Sequence, residues 1–498
     1  VLLVVTVLTL ASLTFSQLML TERRAADAAT QQSQARAAAE SGIEAARVFL
    51  AQPVEDIELT GGWYDNPDVF QAAMITDSED ARHRSRFSLV APVMDEGGVV
   101  GIRFGVEDES TRLNLNALLA LDKVRRNTGR DLLMGLPGMT EEIADAILDW
   151  MDEDDETREF GAEVDYYSGL EPAYAPKNGP LETVEELLLV RDVTPELLFG
   201  VDANRNGLPD ANELPPEMLS GVDNSDGSMT RGWSAYLTLY SLEKNTRADG
   251  SKRIDLNQSD LQKLHDEIAD ATGNEELAVF TVAYRQAGRY KGKDKSQPIG
   301  RRRVDFKKKG KTKLRSVLDL AGVKVQMQFV GEKNAIVVDS PIPDSPMDGG
   351  ELISLLMENT TVNPAEVIPG RININQAPRA MLEGIPGMEP DIVEAIISQR
   401  IMDPIEAEED RIHETWIWSE GIVSLSQMRR LLPFVNAGGG VYRVQSVGYF
   451  DGTGPAARLE AVIDTTESPP RVILWRDLTH LGRGYPAEML GVGLAEGF

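Results

Sequence analysis

At 498 residues the chain exceeds the length at which one hydrophobic core keeps growing, so two or more domains are expected. Hydrophobic residues at 42% and charged residues at 26% exclude wholesale disorder. Eighty acidic residues against fifty basic ones give a formal charge of -30, which repels phosphate backbones and argues against a nucleic-acid partner. The absence of cysteine excludes disulfides, thiolate zinc sites and cysteine nucleophiles. Four histidines, His83, His265, His413 and His480, are too few and too scattered for a multi-histidine metal centre. Oxygen ligands remain.

Val1–Leu20 has no charged residue and is rich in Val and Leu. Twenty such residues in a helix match the thickness of the hydrocarbon core, and an apolar surface on every face favours a membrane span over a buried core helix. No small-residue cleavage site follows. Thr21–Leu50 instead continues with helix formers and has no Pro or Gly before Gly42, so one helix of roughly fifty residues is expected. Ile43, Ala46, Val48, Phe49 and Leu50 would pack its second half on a domain. The chain opens on Val, so its beginning is expected to be processed or truncated, and the positive-inside rule has no preceding flank to act on.

Phe87–Val93 and Val99–Val106 read as strands joined by the turn Asp95-Glu96-Gly97-Gly98. Val441–Tyr449, Arg458–Asp464 and Arg471–Trp475 are equally β-rich, and mostly helical sequence lies between the two groups. The expected fold class is α+β: a long N-terminal helix and a small antiparallel sheet, interrupted by a large, mostly helical insertion. The expected divisions are 1–20, 21–107, 108–330, 331–436 and 437–498.

The insertion repeats itself. Arg112-Leu-Asn-Leu-Asn116, Arg253-Ile-Asp-Leu-Asn257 and Arg371-Ile-Asn-Ile-Asn375 share one pattern, a short extended stretch whose last Asn is expected to cap the following helix. Two copies continue into Leu136-Pro-Gly-Met139 and Ile385-Pro-Gly-Met388, each followed by an amphipathic helix, which predicts duplicated helix-hairpin (SAM-like) modules. These turns resemble the helix-hairpin-helix motif of DNA-binding proteins, so a membrane-anchored DNA-binding or DNA-uptake protein is the alternative reading. The second glycine of that motif is missing, however, and Glu141, Glu142, Glu389 and Asp391 stand where a phosphate would approach. The turns are read as structural.

Asp202-Ala-Asn-Arg-Asn-Gly-Leu-Pro-Asp-Ala-Asn-Glu213 has the spacing of an EF-hand loop. Asp202, Asn204, Asn206 and Asp210 would offer side-chain oxygens, Leu208 its carbonyl and Glu213 a bidentate carboxylate to calcium. Pro209 lacks the amide that pairs such loops, which predicts a lone structural loop. Asp149–Asp165 holds nine carboxylates and one Arg in seventeen residues, readable as a solvated charge run or as ligands converging around a turn. Lys291–Arg315 reverses the sign, with twelve Lys or Arg against two Asp, and reads as a flexible exposed loop whose simplest partner is an acidic protein face. No phosphate loop, Gly-x-Ser-x-Gly elbow or His-Glu-x-x-His appears, so catalysis is not expected.

The apolar first helix, Arg112–Asn116, Leu136-Pro-Gly138, Asp149-Trp150 with Gly161-Ala-Glu163, Gly179-Pro-Leu-Glu-Thr-Val-Glu-Glu-Leu187 and Arg371-Ile-Asn-Ile-Asn-Gln-Ala-Pro378 together resemble the K-type minor pseudopilin of the type II secretion system. The resemblance implies a pilin-like domain with a helical insertion, a non-enzymatic place at the tip of the pseudopilus, and a single inner-membrane span with the globular part in the periplasm. It implies contacts with I- and J-type minor pseudopilins and the major pseudopilin. Bound calcium is implied as well, with Asp152, Asp154, Glu163 and Asp165 among its ligands. Pilin-type subunits carry a glutamate near the start of the apolar helix, the K-type member being the exception, and Val1–Leu20 has none.

Overall fold

The computed structural model describes residues 1–498 apart from 96, 97, 125, 126, 209, 211, 212, 214–216, 220, 408–410, 453 and 493–498. The expected turn at 95–98 and the Pro209 position therefore fall wholly or partly outside the described residues. Helix α1 (Leu2–Phe49) is unbroken, because no Pro interrupts it and Ala, Gln, Glu and Arg dominate its second half. Its most apolar eighteen-residue window has mean hydropathy 1.9 and is fully exposed, long and apolar enough to cross a membrane.

The second half of α1 lies across a sheet through a stripe of small residues, Ala35, Ala38, Ala39, Gly42 and Ala46, joined by Ile43 and ending on Phe49. Small side chains bring helix and sheet backbones close. A Cβ on Gly42 would sit 2.2 Å from the Ser446 hydroxyl, and one on Gly448 would sit 2.1 Å from the Ala35 carbonyl. Val48 is not part of this face: five residues beyond Ile43 it has rotated away and is 52% exposed.

Strands β1 (Ala73–Thr76), β2 (Ser85–Asp95), β3 (Gly98–Arg103), β4 (Glu107–Asp108), β5 (Val441–Phe450), β6 (Ala457–Asp464) and β7 (Arg471–Asp477) form one sheet. The order β1-β2-β5-β6-β7 is antiparallel throughout, with β3 on β2 and β4 on β5. The register Val90 opposite Gln445 and Ser85 opposite Phe450 closes the sheet across the whole insertion. Its core, with Phe70, Phe87, Leu89, Val444, Leu459 and Ile463, is separate from the larger core of the insertion.

Each of the three Arg-aliphatic-Asn/Asp starts opens a module whose first strand pairs in parallel with its last. Leu113–Asn114 pairs with Leu237–Thr238, Ile254–Asp255 with Thr360–Thr361, and Ile372–Asn373 with Val435–Asn436. The insertion thus holds three modules, and the division expected at 330 falls in the turn between Lys324–Met327 and Ile336–Asp339, which pair with each other.

The final Asn of each start does not cap the next helix. Asn116 donates to the Leu181 carbonyl (3.0 Å) and accepts from the Leu181 amide (2.8 Å); Asn257 clasps Leu314 in the same way (2.9 and 2.9 Å). A carboxamide carries a donor and an acceptor on separate atoms and so satisfies both polar groups of one peptide residue at once. Asn375 donates to the Ala437 carbonyl and accepts from the Trp416 indole. The segment 291–315 is exposed as expected but is held along its length. Gln297–Pro298 pairs with Val338–Asp339, Gln286 donates to the Asp305 and Lys308 carbonyls, and Ile299 and Val304 are buried.

The two Pro-Gly hairpins face each other. A Cβ on Gly135 would lie 2.5 Å from the Gly384 Cα, so only glycine permits this approach. The first hairpin is covered rather than open: the Trp233 indole donates to the Pro137 carbonyl (2.8 Å) and Val222 lies over Gly138.

In the third module Arg371 pairs with Glu243 and Glu414, and the nearby His413 is 7% exposed, 3.5 Å from Glu358. Burial first, then the Arg253 charge, lowers its pKa to about 4; Glu358 and Glu243 oppose the shift and Arg371 adds to it. The unfolded chain takes up this proton near pH 6.5, before the folded chain does. The contribution of neutral His413 is therefore full above pH 6.5 and is lost as pH falls towards 4, by about 3 kcal/mol at most. His413→Gln should flatten the urea-measured stability difference between pH 7 and pH 4 relative to the parent. An unchanged pH slope would contradict a buried neutral imidazole.

Candidate functional site

Two carboxylate loops of the first module carry the candidate chemistry. In the first, the helix Glu141–Met151 is started by the Thr140 hydroxyl and presents Asp149 near its end, with Asp152 at its C-cap. The chain returns through Gly161 to Glu163, which precedes the short helix Val164–Tyr167. A Cβ on Gly161 would sit 1.8 Å from a carboxylate oxygen of Asp149, so glycine is what lets the return pass.

Asp149 is fully buried and accepts from the Arg158 amide (3.2 Å), while the Arg158 guanidinium reaches Asp149 (3.3 Å), Asp122 (3.1 Å) and Asp152 (3.4 Å). Glu163 is 2% exposed, and neither of its carboxylate oxygens has a hydrogen-bond partner; one buried oxygen of Asp152 is likewise orphaned. Burial raises the pKa of Glu163 to about 7, with the charges of Asp149 and Asp152 adding to it. Asp149 is also raised to about 7, by burial first and further by Asp152. Asp154 and Asp165 are exposed at the rim. The structure therefore brings Asp149, Asp152 and Glu163 together and leaves Asp154 and Asp165 outside. Asp149, buried beside them, was not among the expected residues. Its signal was a carboxylate one turn before a helix end, facing Gly161.

The second loop, from Asp202 to Glu213, is wound around its own side chains. The Asp202 carboxylate accepts from the amides of Asn206 (3.1 Å) and Gly207 (2.9 Å), the latter at φ +75, where a side chain would be strained. Asn204 and Asn206 accept from the amides of Asn206 and Leu208, and both donate to Asp210. Glu213 closes the loop on the Asn204 amide (3.0 Å) with one oxygen, and its other oxygen is buried without a partner. Burial, then Asp202 and Asp210, pushes the Glu213 pKa up. All six expected ligand residues lie in one turn of chain.

This loop is fastened to the sheet. Asn206 donates to the Gly484 carbonyl (2.5 Å), its own carbonyl accepts from the Tyr485 hydroxyl (3.1 Å), and the buried Arg458 of β6 donates to the Asn204 carbonyl. Arg205 and Arg476 share Glu185. Beside it runs a buried ionic seam: Glu109 pairs with Arg443 of β5 (2.5 Å) and Arg112 (3.5 Å), Arg112 with Glu107, and Arg443 with Glu460. Arg458 and the seam were not foreseen, since isolated charges separated by hundreds of residues carry no local pattern.

Both loops offer all-oxygen donor sets with orphaned buried oxygens, which suits a hard cation such as calcium. Among the described residues, no three Asp, Glu or His side chains stand close enough to hold a metal ion as they are. At the first loop Arg158 supplies the balancing charge instead.

A membrane-length helix running onto an antiparallel sheet, with a helical insertion between its strands, is a pilin-like arrangement. Residues 111–200 match the family model described as Type II secretion system (T2SS), protein K. The matched stretch lies within the first module of the insertion and makes that part of the chain similar to the K-type minor pseudopilins. A chain in the crystal structure of the GspK-GspI-GspJ complex from the enterotoxigenic Escherichia coli Type 2 Secretion System aligns over 92% of this chain and 99% of its own. The identity is 11% and the TM-score 0.33. Comparison with curated proteins finds no match.

Proposed function

We propose that this chain is a K-type minor pseudopilin that occupies the tip of the type II secretion pseudopilus and initiates or caps its assembly for protein export across the outer membrane. The observation that carries the reading is the first helix. Val1–Leu20 has no carboxylate to pair with a further subunit's N-terminal amine, so nothing in it favours a subunit stacked above. The insertion then extends from the top without steric limits. Before assembly α1 anchors the chain in the inner membrane, the globular part lies in the periplasm, and I- and J-type minor pseudopilins and the major pseudopilin are its partners. The role is structural rather than catalytic.

Calcium is part of the reading. In the first loop Asp149, Asp152 and Glu163, with Asp154 at the rim, would bind the ion once Arg158 turns away. In the second, Asp202, Asn204, Asn206, Asp210, Glu213 and the Leu208 carbonyl would bind it. Calcium supplies charge balance only. The residues of the chain orient the insertion, and the bonds from Arg458, Tyr485 and Gly484 carry that order to the sheet.

An Asp at Val4, Val5 or Leu8 places a charge in the bilayer core at a cost of about 2.5–3.5 kcal/mol on insertion scales. Each variant is expected to lose membrane integration, measured by carbonate extraction, and to abolish secretion in cells. Integration and secretion at parental levels would remove α1 as the anchor.

A further inference from the structure

We infer that the second module presents a docking surface for the carboxylate-rich face of another protein, built from residues 288–313. The three-module repeat locates it. In the first module the chain leaves the helix Glu141–Met151, runs through 152–180 and is clasped at Leu181 by Asn116. In the second it leaves the helix Glu275–Ala287, runs through 288–313 and is clasped at Leu314 by Asn257. Each clasp leads into a capping box, Thr183 with Glu186 and Ser316 with Asp319. The two segments hold the same station in the repeat.

Their charges are opposite. The first carries the carboxylate loop; the second carries twelve cations and two Asp. The buried anchor at the helix end changes sign with them. Asp149 accepts a loop amide, whereas Arg285, 4% exposed, donates to the carbonyls of Thr312, Asn257 and Gln258. A station that gathers cation ligands in one module gathers cations in the other.

The cations are presented, not consumed. Among the described residues no Lys or Arg of 291–315 forms an ion pair, although the remainder of the chain carries a formal charge of -40. Arg301, Arg303, Lys307, Lys308 and Lys309 are all exposed, on a segment pinned by Gln286 and by its pairing with Val338–Asp339. Such a patch steers and registers an oppositely charged face.

A protein face fits better than nucleic acid or a bilayer. Of the two aromatic residues of 288–313, Phe306 packs against the His265 ring at 5.3 Å and Tyr290 is tied through its hydroxyl to Asp294, so the segment offers no row of stacking rings. The segment has no exposed large apolar side chain to enter lipid.

The test uses the full chain in detergent micelles at about 0.15 M salt, where surface charges are screened beyond about 8 Å. The probes are poly-L-glutamate, duplex DNA and phosphatidylglycerol vesicles. One variant carries Arg301→Glu, Arg303→Glu, Lys307→Glu, Lys308→Glu and Lys309→Glu; a second carries Gln at the same five positions. Poly-L-glutamate should bind the parent, at least tenfold more weakly to the Glu variant and with intermediate strength to the Gln variant, with both melting as the parent does. DNA and vesicles should bind the parent more weakly than poly-L-glutamate. Equal binding by parent and Gln variant, no binding by the parent, or tighter binding of DNA or vesicles would overturn the inference.

Discussion

Glu109→Ala is expected to destabilise the folded chain by about 3–5 kcal/mol, the largest effect of any single exchange considered. Glu109 is fully buried where the first module meets the sheet, between Arg443 and Arg112, and it also accepts from the Thr238 hydroxyl. Burial alone would push its pKa up, but the two guanidinium groups hold it below the usual carboxylate range, so the site is ionised. Removing it leaves Arg112, 4% exposed, and Arg443 with less opposing charge in a medium that solvates them poorly. The urea midpoint should fall steeply. A loss under 1 kcal/mol would mean that water enters the seam and that sheet and insertion are not coupled through it.

Chelation comes next in size. Carboxylates gathered at 149–163, only partly balanced by Arg158, and at 202–213 repel one another, and a ligand present at a thousand times its dissociation constant stabilises by about 4 kcal/mol. Removing calcium with a chelator should therefore lower the melting temperature of the purified chain by several degrees, and readdition should restore it. Asp202→Ala with Glu213→Ala should abolish the share that belongs to the second loop. Because that loop is bonded to Tyr485, Gly484 and Arg458, its loosening should also speed proteolysis between sheet and insertion. Identical melting with and without chelator would remove calcium from the account.

The sheet was legible from the chain because its strands are β-rich runs bounded by Gly and Pro turns at both ends, and 441–450, 457–464 and 471–477 match the expectation within a few residues. The long helix was equally clear from composition. Its packing face was not: hydrophobicity pointed to Val48, while the close contact is made by Ala and Gly, whose value lies in being small. The repeat was visible as three starts. That each start closes on a strand some 60–120 residues later, and that Asn clasps a distant peptide, depends on pairings no local pattern encodes.

At the candidate site the loop 202–213 was readable because its ligands are fixed by spacing in one turn of chain. The acidic run was readable only as a region. Which carboxylates turn inward depends on Gly161 and on the helix end, and these select Asp149 and Glu163 over Asp154 and Asp165. Arg458, and the Arg443 and Glu460 that complete the Glu109 seam, come from strands at the far end of the chain and became visible only once the sheet closed.

Site-specific photocrosslinking in cells tests the tip assignment most directly. A crosslinker placed in the first turns of α1 of the full chain, and another on the exposed insertion, would report the neighbours of each in assembled pseudopili. The account predicts that α1 crosslinks to minor pseudopilins below it, once per filament, and that the insertion crosslinks to no pseudopilin stacked above. Repeated recovery of this chain along the shaft, with the major pseudopilin on both sides, would contradict it.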